Sequence, residues 1–152
     1  MYKIAILGCE NTHANSFLRQ IYKKGRHTDI EVIGIYSEEE EPCRKLHEEF
    51  GVTLAFVTLG PKGCYYSNGR EAGEVETPKG LNVVDTTGAG DIFGGSVLSR
   101  ILACGKPIGE ITGGELRAMT RFACCAASLS TQRSGGISSV VPMEDVLAAV
   151  QA

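Results

Sequence analysis

The sequence has no apolar run approaching the roughly 18 residues that a membrane-spanning helix needs. It opens Met1-Tyr2-Lys3 and runs straight into a strand-like segment, without the pattern of a secretory leader. No Cys-x-x-Cys pair occurs, and His13, His27 and His47 are scattered, so a structural zinc site is not expected. The six cysteines (Cys9, Cys43, Cys64, Cys104, Cys124 and Cys125) are even in number, which would suit disulfides. Without a leader, reduced thiols and a cytoplasmic location are the expectation. The two signs of charge are nearly balanced, with 15 Lys and Arg against 18 Asp and Glu. The net charge is -3, which excludes a broad basic surface for nucleic acid. There is no internal repeat, no low-complexity linker and no Gly-x-x-x-x-Gly-Lys-[Ser/Thr] phosphate loop.

What remains is ordinary globular composition. The 152 residues are 43% apolar and 22% charged, enough for one core and one domain spanning residues 1–152. Lys3 to Leu7 and Ile30 to Tyr36 read as strands. A helix over residues 16–24 is stopped by Gly25, and a second over Glu40 to Phe50 by Gly51. Such a β-α-β-α start predicts parallel strands and a right-handed crossover. A third strand over 54–59 is apolar enough to be covered on both faces. Cys64 to Ser67 and Glu71 to Thr77 flank Asn68-Gly69, which signals a hairpin. Helices are predicted over Ala89 to Cys104, Glu115 to Ser130 and Pro142 to Val150, with a loop over Thr131 to Val141.

One stretch carries chemistry, Asp85-Thr86-Thr87-Gly88-Ala89-Gly90-Asp91. Small residues opening a helix let a ligand approach the backbone. The first amides of a helix lack intrahelical partners and sit at the positive end of its dipole, so they can hold phosphate oxygens. Asp91, in the first turn, can accept a proton from a hydroxyl while those amides hold a transferring phosphoryl group. The plainer alternative is that Asp85, Thr86 and Thr87 cap the helix and Asp91 favours its positive end.

That string, with Phe93-Gly94-Gly95 after it, resembles the second signature of the PfkB, or ribokinase-like, carbohydrate kinases. The family does not use the phosphate loop missing here. The resemblance covers about residues 53–150 and implies ATP with Mg²⁺ as phosphoryl donor. It implies Asp91 as base and the amides of Gly88, Ala89 and Gly90 as anion hole. Val57-Thr58-Leu59-Gly60-Pro61-Lys62-Gly63 looks like the family's nucleotide-lining turn, which would set Thr58, Gly60 and Gly63 near ATP. Residues 122–129 resemble the helix flanking adenine, with Cys124 where an Asn is common. The loop over 131–141 resembles one that encloses a monovalent cation such as K⁺, implying Asp85, Thr86, Gly135, Gly136 and Ser139. The bland reading of Gly135-Gly136 is a turn before the last helix. The family's Asn-x-x-Glu motif, which helps organise Mg²⁺, has no counterpart on the Glu41 to Phe50 segment.

The first 52 residues resemble another family. Lys3 to Gly8, Cys9-Glu10-Asn11-Thr12-His13 and the strand to Tyr36 are similar to the Rossmann half of Gfo/Idh/MocA oxidoreductases. Of the Gly-x-Gly-x-x-Gly fingerprint only Gly8 matches, with Glu10 and His13 at the other glycine positions. Glu10 would repel the pyrophosphate, and Ser37 replaces the usual ribose-binding acid, so NAD(P) is not expected to bind. His13 reads as a helix-start histidine, and Cys124-Cys125 as buried small residues rather than a redox pair.

The resulting expectation is a hybrid joined near residues 51–53. Its fold would be a three-layer, doubly wound α/β sandwich, with parallel strands in order 2-1-3 and the hairpin antiparallel at one edge. Its expected function is an ATP-dependent phosphotransferase module, with a nucleotide as partner and a sugar too if it turns over. A catalytically silent scaffold with weak anion binding is the alternative, and apolar surface left open would favour self-association.

Overall fold

The computed structural model of the chain describes residues 2–7, 30–36, 47–48 and 51–151. The helix expected over 16–24, the stretch from Gly8 to His13, and Ser37 with Glu38 lie outside the described residues. Of the helix expected over Glu40 to Phe50, His47 and Glu48 are described, and both are helical.

Strands β1 (Tyr2–Leu7) and β2 (Ile30–Tyr36) pair in parallel, as the β-α-β pattern predicts. Their register slips between Ile4 and Ala5, where the longer β2 accommodates one extra residue.

The third strand departs from expectation. β3 (Ala55–Thr58) does not extend that sheet in order 2-1-3. It opens a separate antiparallel sheet, β3-β4-β5, with β4 (Cys64–Ser67) and β5 (Ala72–Val75). The antiparallel pairing of β3 with β4, at the edge where the hairpin was expected, follows from the connection. Only residues 59–63 join β3 to β4, and most of them form a 3-10 turn over Gly60–Lys62. A parallel neighbour needs a crossover of about a dozen residues or more. Burial agrees, since Ala55 is buried but Thr58 is exposed, unlike a strand covered on both faces. Gly63 closes the turn at φ 117°, and a Cβ there would lie 1.9 Å from the Val75 carbonyl oxygen. That position therefore needs glycine.

The hairpin signal at Asn68-Gly69 is realised. Asn68 N–H donates to the Glu71 carbonyl at 3.0 Å, and Asn68 Oδ1 accepts from the amides of Arg70 and Glu71. The same turn reaches across the molecule. Asn68 Nδ2 donates to the Ile111 carbonyl at 3.0 Å, Arg70 to the Gly109 carbonyl, and Glu71 Oε2 accepts from the Gly113 amide at 2.7 Å. His47 ties on the preceding helix. Its Nδ1–H donates to the Val52 carbonyl, which leaves Nε2 to accept from the Ser67 hydroxyl at 2.8 Å.

Three helices follow. α1 (Ala89–Cys104) ends at Gly105, left-handed at φ 66°, as a glycine stop predicts. α2 (Gly113–Ser130) starts two residues before its expected first residue. Thr112 and Glu115 form a reciprocal capping box there, in which each side chain bonds the other's backbone amide. α3 (Met143–Gln151) closes the described chain.

α2 is the centre of the packing. One side meets the sheet and α1 in a cluster including Cys64, Tyr66, Val75, Phe93, Val97, Leu116 and Ala123. The other side meets α3 through Phe122, Cys125, Ala126 and Val146. Phe56 of β3 meets Phe93 of α1 edge to face, with centroids 6.5 Å apart. On α1 the apolar spacing overstates the buried face. Leu98 and Leu102 are 62% and 81% exposed. Cys124 and Cys125 are buried as expected, and burial pushes the Cys124 thiol up to about 11, so neither offers a thiolate. Among the described residues no helix is long and apolar enough to cross a membrane.

Candidate active site

The approach to α1 is built by residues far apart in sequence. The Thr131 carbonyl accepts from the amides of both Val84 and Asp85, at 2.7 and 3.0 Å. That fixes the strand-like approach beside the end of α2. Asp85 then turns its carboxylate two ways. Oδ1 accepts from the Thr87 amide at 2.9 Å, and Oδ2 from the Gly135 amide at 2.9 Å and, more weakly, from Ser134 Oγ. The Gly135 amide is the largest of the causes that hold the Asp85 carboxyl down to about 2, with Thr87 and Ser134 adding to it. Asp85 is therefore held in its ionised form at neutral pH.

Asp85 is thus a bracket between two loops and not a helix cap. Gly88 stands at the N-cap of α1 in a left-handed conformation, φ 80°, with no side-chain cap bond. Gly88 also meets Gly136 closely. A Cβ on Gly88 would lie 2.9 Å from the Gly136 Cα. Glycine at 88 and 136 lets the two loops touch backbone to backbone.

The amides at this helix start divide into two groups. Ala89 N–H donates to the Thr86 carbonyl at 3.2 Å, so it is committed to the turn. Those of Gly88, Gly90 and Asp91 have no hydrogen-bond partner among the described residues. Of the three amides expected to form an anion hole, two are thus open, and Asp91 contributes a third. Open amides at the positive end of a helix fit a phosphate group.

Asp91 is exposed at the mouth of a cleft of about 520 Å³ between α1, α2, α3 and the 136–141 loop. Gly88, Asp91, Ile92, Gly95, Ser96 and Ser99 form its α1 wall. These positions recur at helical spacing from Asp91, so the stripe could have been read from the sequence once Asp91 was chosen. Gly94 and Gly95 do not serve close helix packing, since a Cβ on either meets nothing within 4 Å. On the opposite wall, Phe122 and Ala126 fall in the 122–129 segment whose resemblance pointed to a nucleotide, whereas Ile137 and Met143 carried no local signal. Arg100 stacks over the Phe122 ring, 5.1 Å from its centroid.

The cation positions are also brought together. Asp85 bonds Gly135, Gly136 faces Gly88, and the buried Ser139 donates its hydroxyl to the Gly136 carbonyl at 2.9 Å. The Thr86 carbonyl accepts from Ala89 beside them. The Asp85 carboxylate and the Thr86 and Gly136 carbonyls are oxygens of the kind a hard cation takes, and each already accepts a hydrogen bond within the protein. No group of three or more His, Cys, Asp or Glu side chains suited to a metal occurs among the described residues.

Other expected positions stay apart from the cleft. Thr58 and Gly60 are exposed at the β3 turn, Gly63 is packed on β5, and none of the three lines the cleft. Cys124 is 3% exposed, with its thiol turned toward the Val75 carbonyl. Phe122 and Ala126 face the cleft, and a residue two positions from either lies across the helix.

The sequence pattern described as pfkB family carbohydrate kinase matches residues 26–143. The match begins well before the 51–53 boundary expected between two families, and so takes in β2. A parallel β-α-β start is common to doubly wound folds, so it did not by itself distinguish one family from another. Probable fructokinase-3 of Arabidopsis thaliana is 39% identical over 84 residues, which are 55% of this chain and 24% of that protein. Fructokinase-1 of Zea mays is 34% identical over 118 residues, 78% of this chain and 35% of that protein. Among solved structures, ribokinase of Arabidopsis thaliana, determined with ribose and ATP, superposes with a TM-score of 0.56 at 32% identity. That match covers 68% of this chain and 31% of the ribokinase. The chain thus spans about a quarter to a third of these relatives. With the pattern matched over residues 26–143, most of its length, the chain belongs to the pfkB family of carbohydrate kinases.

Proposed function

We propose that the chain is the nucleotide-side module of an ATP-dependent sugar kinase. One observation carries this reading: α1 starts uncapped, with open amides, beside Asp91 at the mouth of a cleft. The open amides of Gly88, Gly90 and Asp91 hold the γ-phosphoryl oxygens and neutralise charge that builds during transfer. The Asp91 carboxylate takes the proton of an acceptor hydroxyl. The new O–P bond forms as the bond from the γ-phosphorus to the bridging oxygen breaks, and ADP leaves. Mg²⁺ carried by the nucleotide would neutralise its phosphates. Asp85, Thr86, Gly135, Gly136 and Ser139 would hold a monovalent cation behind the helix start. Thr58, Gly60 and Gly63 on the β3–β4 connection remain candidates for outer nucleotide contacts. The acceptor class is a sugar, since the relatives are named fructokinase and ribokinase.

Titration calorimetry with ATP and ADP, in Mg²⁺ and K⁺, tests the reading directly. Saturable binding is expected, together with fructose- or ribose-dependent ADP release that Asp91→Ala removes while ATP still binds. Absence of any binding at millimolar nucleotide would sink it. A second reading, a folded scaffold without turnover, is favoured by the 41–50 segment having no Asn-x-x-Glu motif to help organise Mg²⁺. Robust ADP release dependent on sugar and on Asp91 would eliminate it.

A further inference from the structure

We propose that the apolar arm of the cleft holds the base of the nucleotide without reading its edge, so that adenine and guanine nucleotides bind alike. The inference rests on the cleft being the nucleotide site. With phosphates at the α1 start, a base lying in the rest of the cleft would face Phe122, Ala126, Ile137, Val140, Met143 and Val146. None of these side chains donates or accepts a hydrogen bond.

Telling adenine from guanine takes a fixed donor–acceptor pair, such as a carboxamide set against the base edge. The cleft lining has no Asn or Gln. Its hydroxyls are Ser96 and Ser99, about 7.5 and about 12 Å along α1 from Asp91 at 1.5 Å per residue. A hydroxyl rotates to donate or accept, so it satisfies an amino group or a carbonyl equally. The Cys124 thiol is turned to β5, and the Arg100 guanidinium sits over the Phe122 ring and outside the lining.

The lip of the arm is apolar and open. Ile137 is 94% exposed, Val140 56% and Met143 52%. A flat base laid on them removes apolar surface from water whichever base it is. Apolar contact separates similar ligands by about 10–200-fold, whereas a hydrogen-bonding site separates them by about 10⁴–10⁵-fold. The two purines have nearly the same shape, so the ratio here falls at the bottom of the first range.

Calorimetry of the full chain with ATP, GTP and inorganic tripolyphosphate, all with Mg²⁺, tests this. ATP and GTP are expected to bind within about tenfold of each other, and tripolyphosphate more weakly than either. Ile137→Ser, a change at an exposed position that should leave folding intact, is expected to weaken ATP and GTP by the same factor, about 3–10-fold. A preference between ATP and GTP above about a hundredfold, or an Ile137→Ser effect on only one of them, would overturn the inference. Tripolyphosphate binding as tightly as ATP would also overturn it, while leaving the phosphate site intact. If none of the three bound, the nucleotide reading itself would fall, and this inference with it.

Discussion

Replacing Gly88 by alanine tests the helix start at its tightest point. Two costs add. The residue is held at φ 80°, where an L side chain costs about 1–2 kcal/mol. The new Cβ would lie 2.9 Å from the Gly136 Cα, inside normal contact, and the atom it meets is backbone. Gly136 cannot withdraw freely, because its neighbour Gly135 is bonded to Asp85 and its own carbonyl to Ser139. Overpacking of that kind costs about 1–3 kcal/mol. Together the expected destabilisation is about 2–5 kcal/mol, or about 1–2.5 M in the urea midpoint at an m-value of about 2 kcal/mol/M. Gly90→Ala is the control. Gly90 lies inside α1, has no positive φ, and its Cβ would meet nothing within 4 Å. Alanine there should leave stability unchanged or raise it by up to about 1 kcal/mol. Urea unfolding followed by circular dichroism measures both variants. If Gly88→Ala matched the parent chain, or Gly90→Ala lost as much as Gly88→Ala, the proposed contact between the two loops would be refuted.

Acid should weaken the fold through two carboxylates. Asp85 is lowered from 3.8 to about 2, chiefly by the Gly135 amide, and Glu115 from 4.5 to about 2, chiefly by Lys106. Both folded values lie below the unfolded ones, so their contribution is complete above about pH 5 and fades as pH falls from about 4.5 to 2. Asp85→Asn and Glu115→Gln should each flatten the urea midpoint over that window, and an unchanged pH profile in the double variant would argue against the assignment. Asn68→Ala should cost about 1–3 kcal/mol, because it removes three bonds and leaves the Ile111 carbonyl in the core without its donor. A loss below about 0.5 kcal/mol in the same assay would mean that the turn does not hold the start of α2.

Features set within a few residues were legible in the sequence. α1 runs from Ala89 to Cys104 as its small-residue start and glycine stop imply, because helix ends are decided by local capping and by the φ freedom of glycine. The Asn68-Gly69 turn formed because asparagine bonds its own following amides. The heptad from Asp85 to Asp91 pointed to an anion site at a helix start, for the same local reason.

Tertiary structure decided the rest. β3 pairs with β4 through their short connection, and among the described residues it is not paired with β1, which the apolar run did not foretell. Residue type alone made Asp85 a candidate cap. Its carboxylate instead bridges to Gly135, fifty positions away, and that contact exists only once α2 has carried the chain back. Likewise Leu98 and Cys124 share apolar character, yet one is exposed and the other buried, since the spacing of a helix sets its faces but not what covers each face. The cleft beside Asp91 belongs to this second class. Its α1 wall repeats along one helix, while Phe122, Ile137 and Met143 arrive from three other parts of the chain, and only their packing makes the enclosed space.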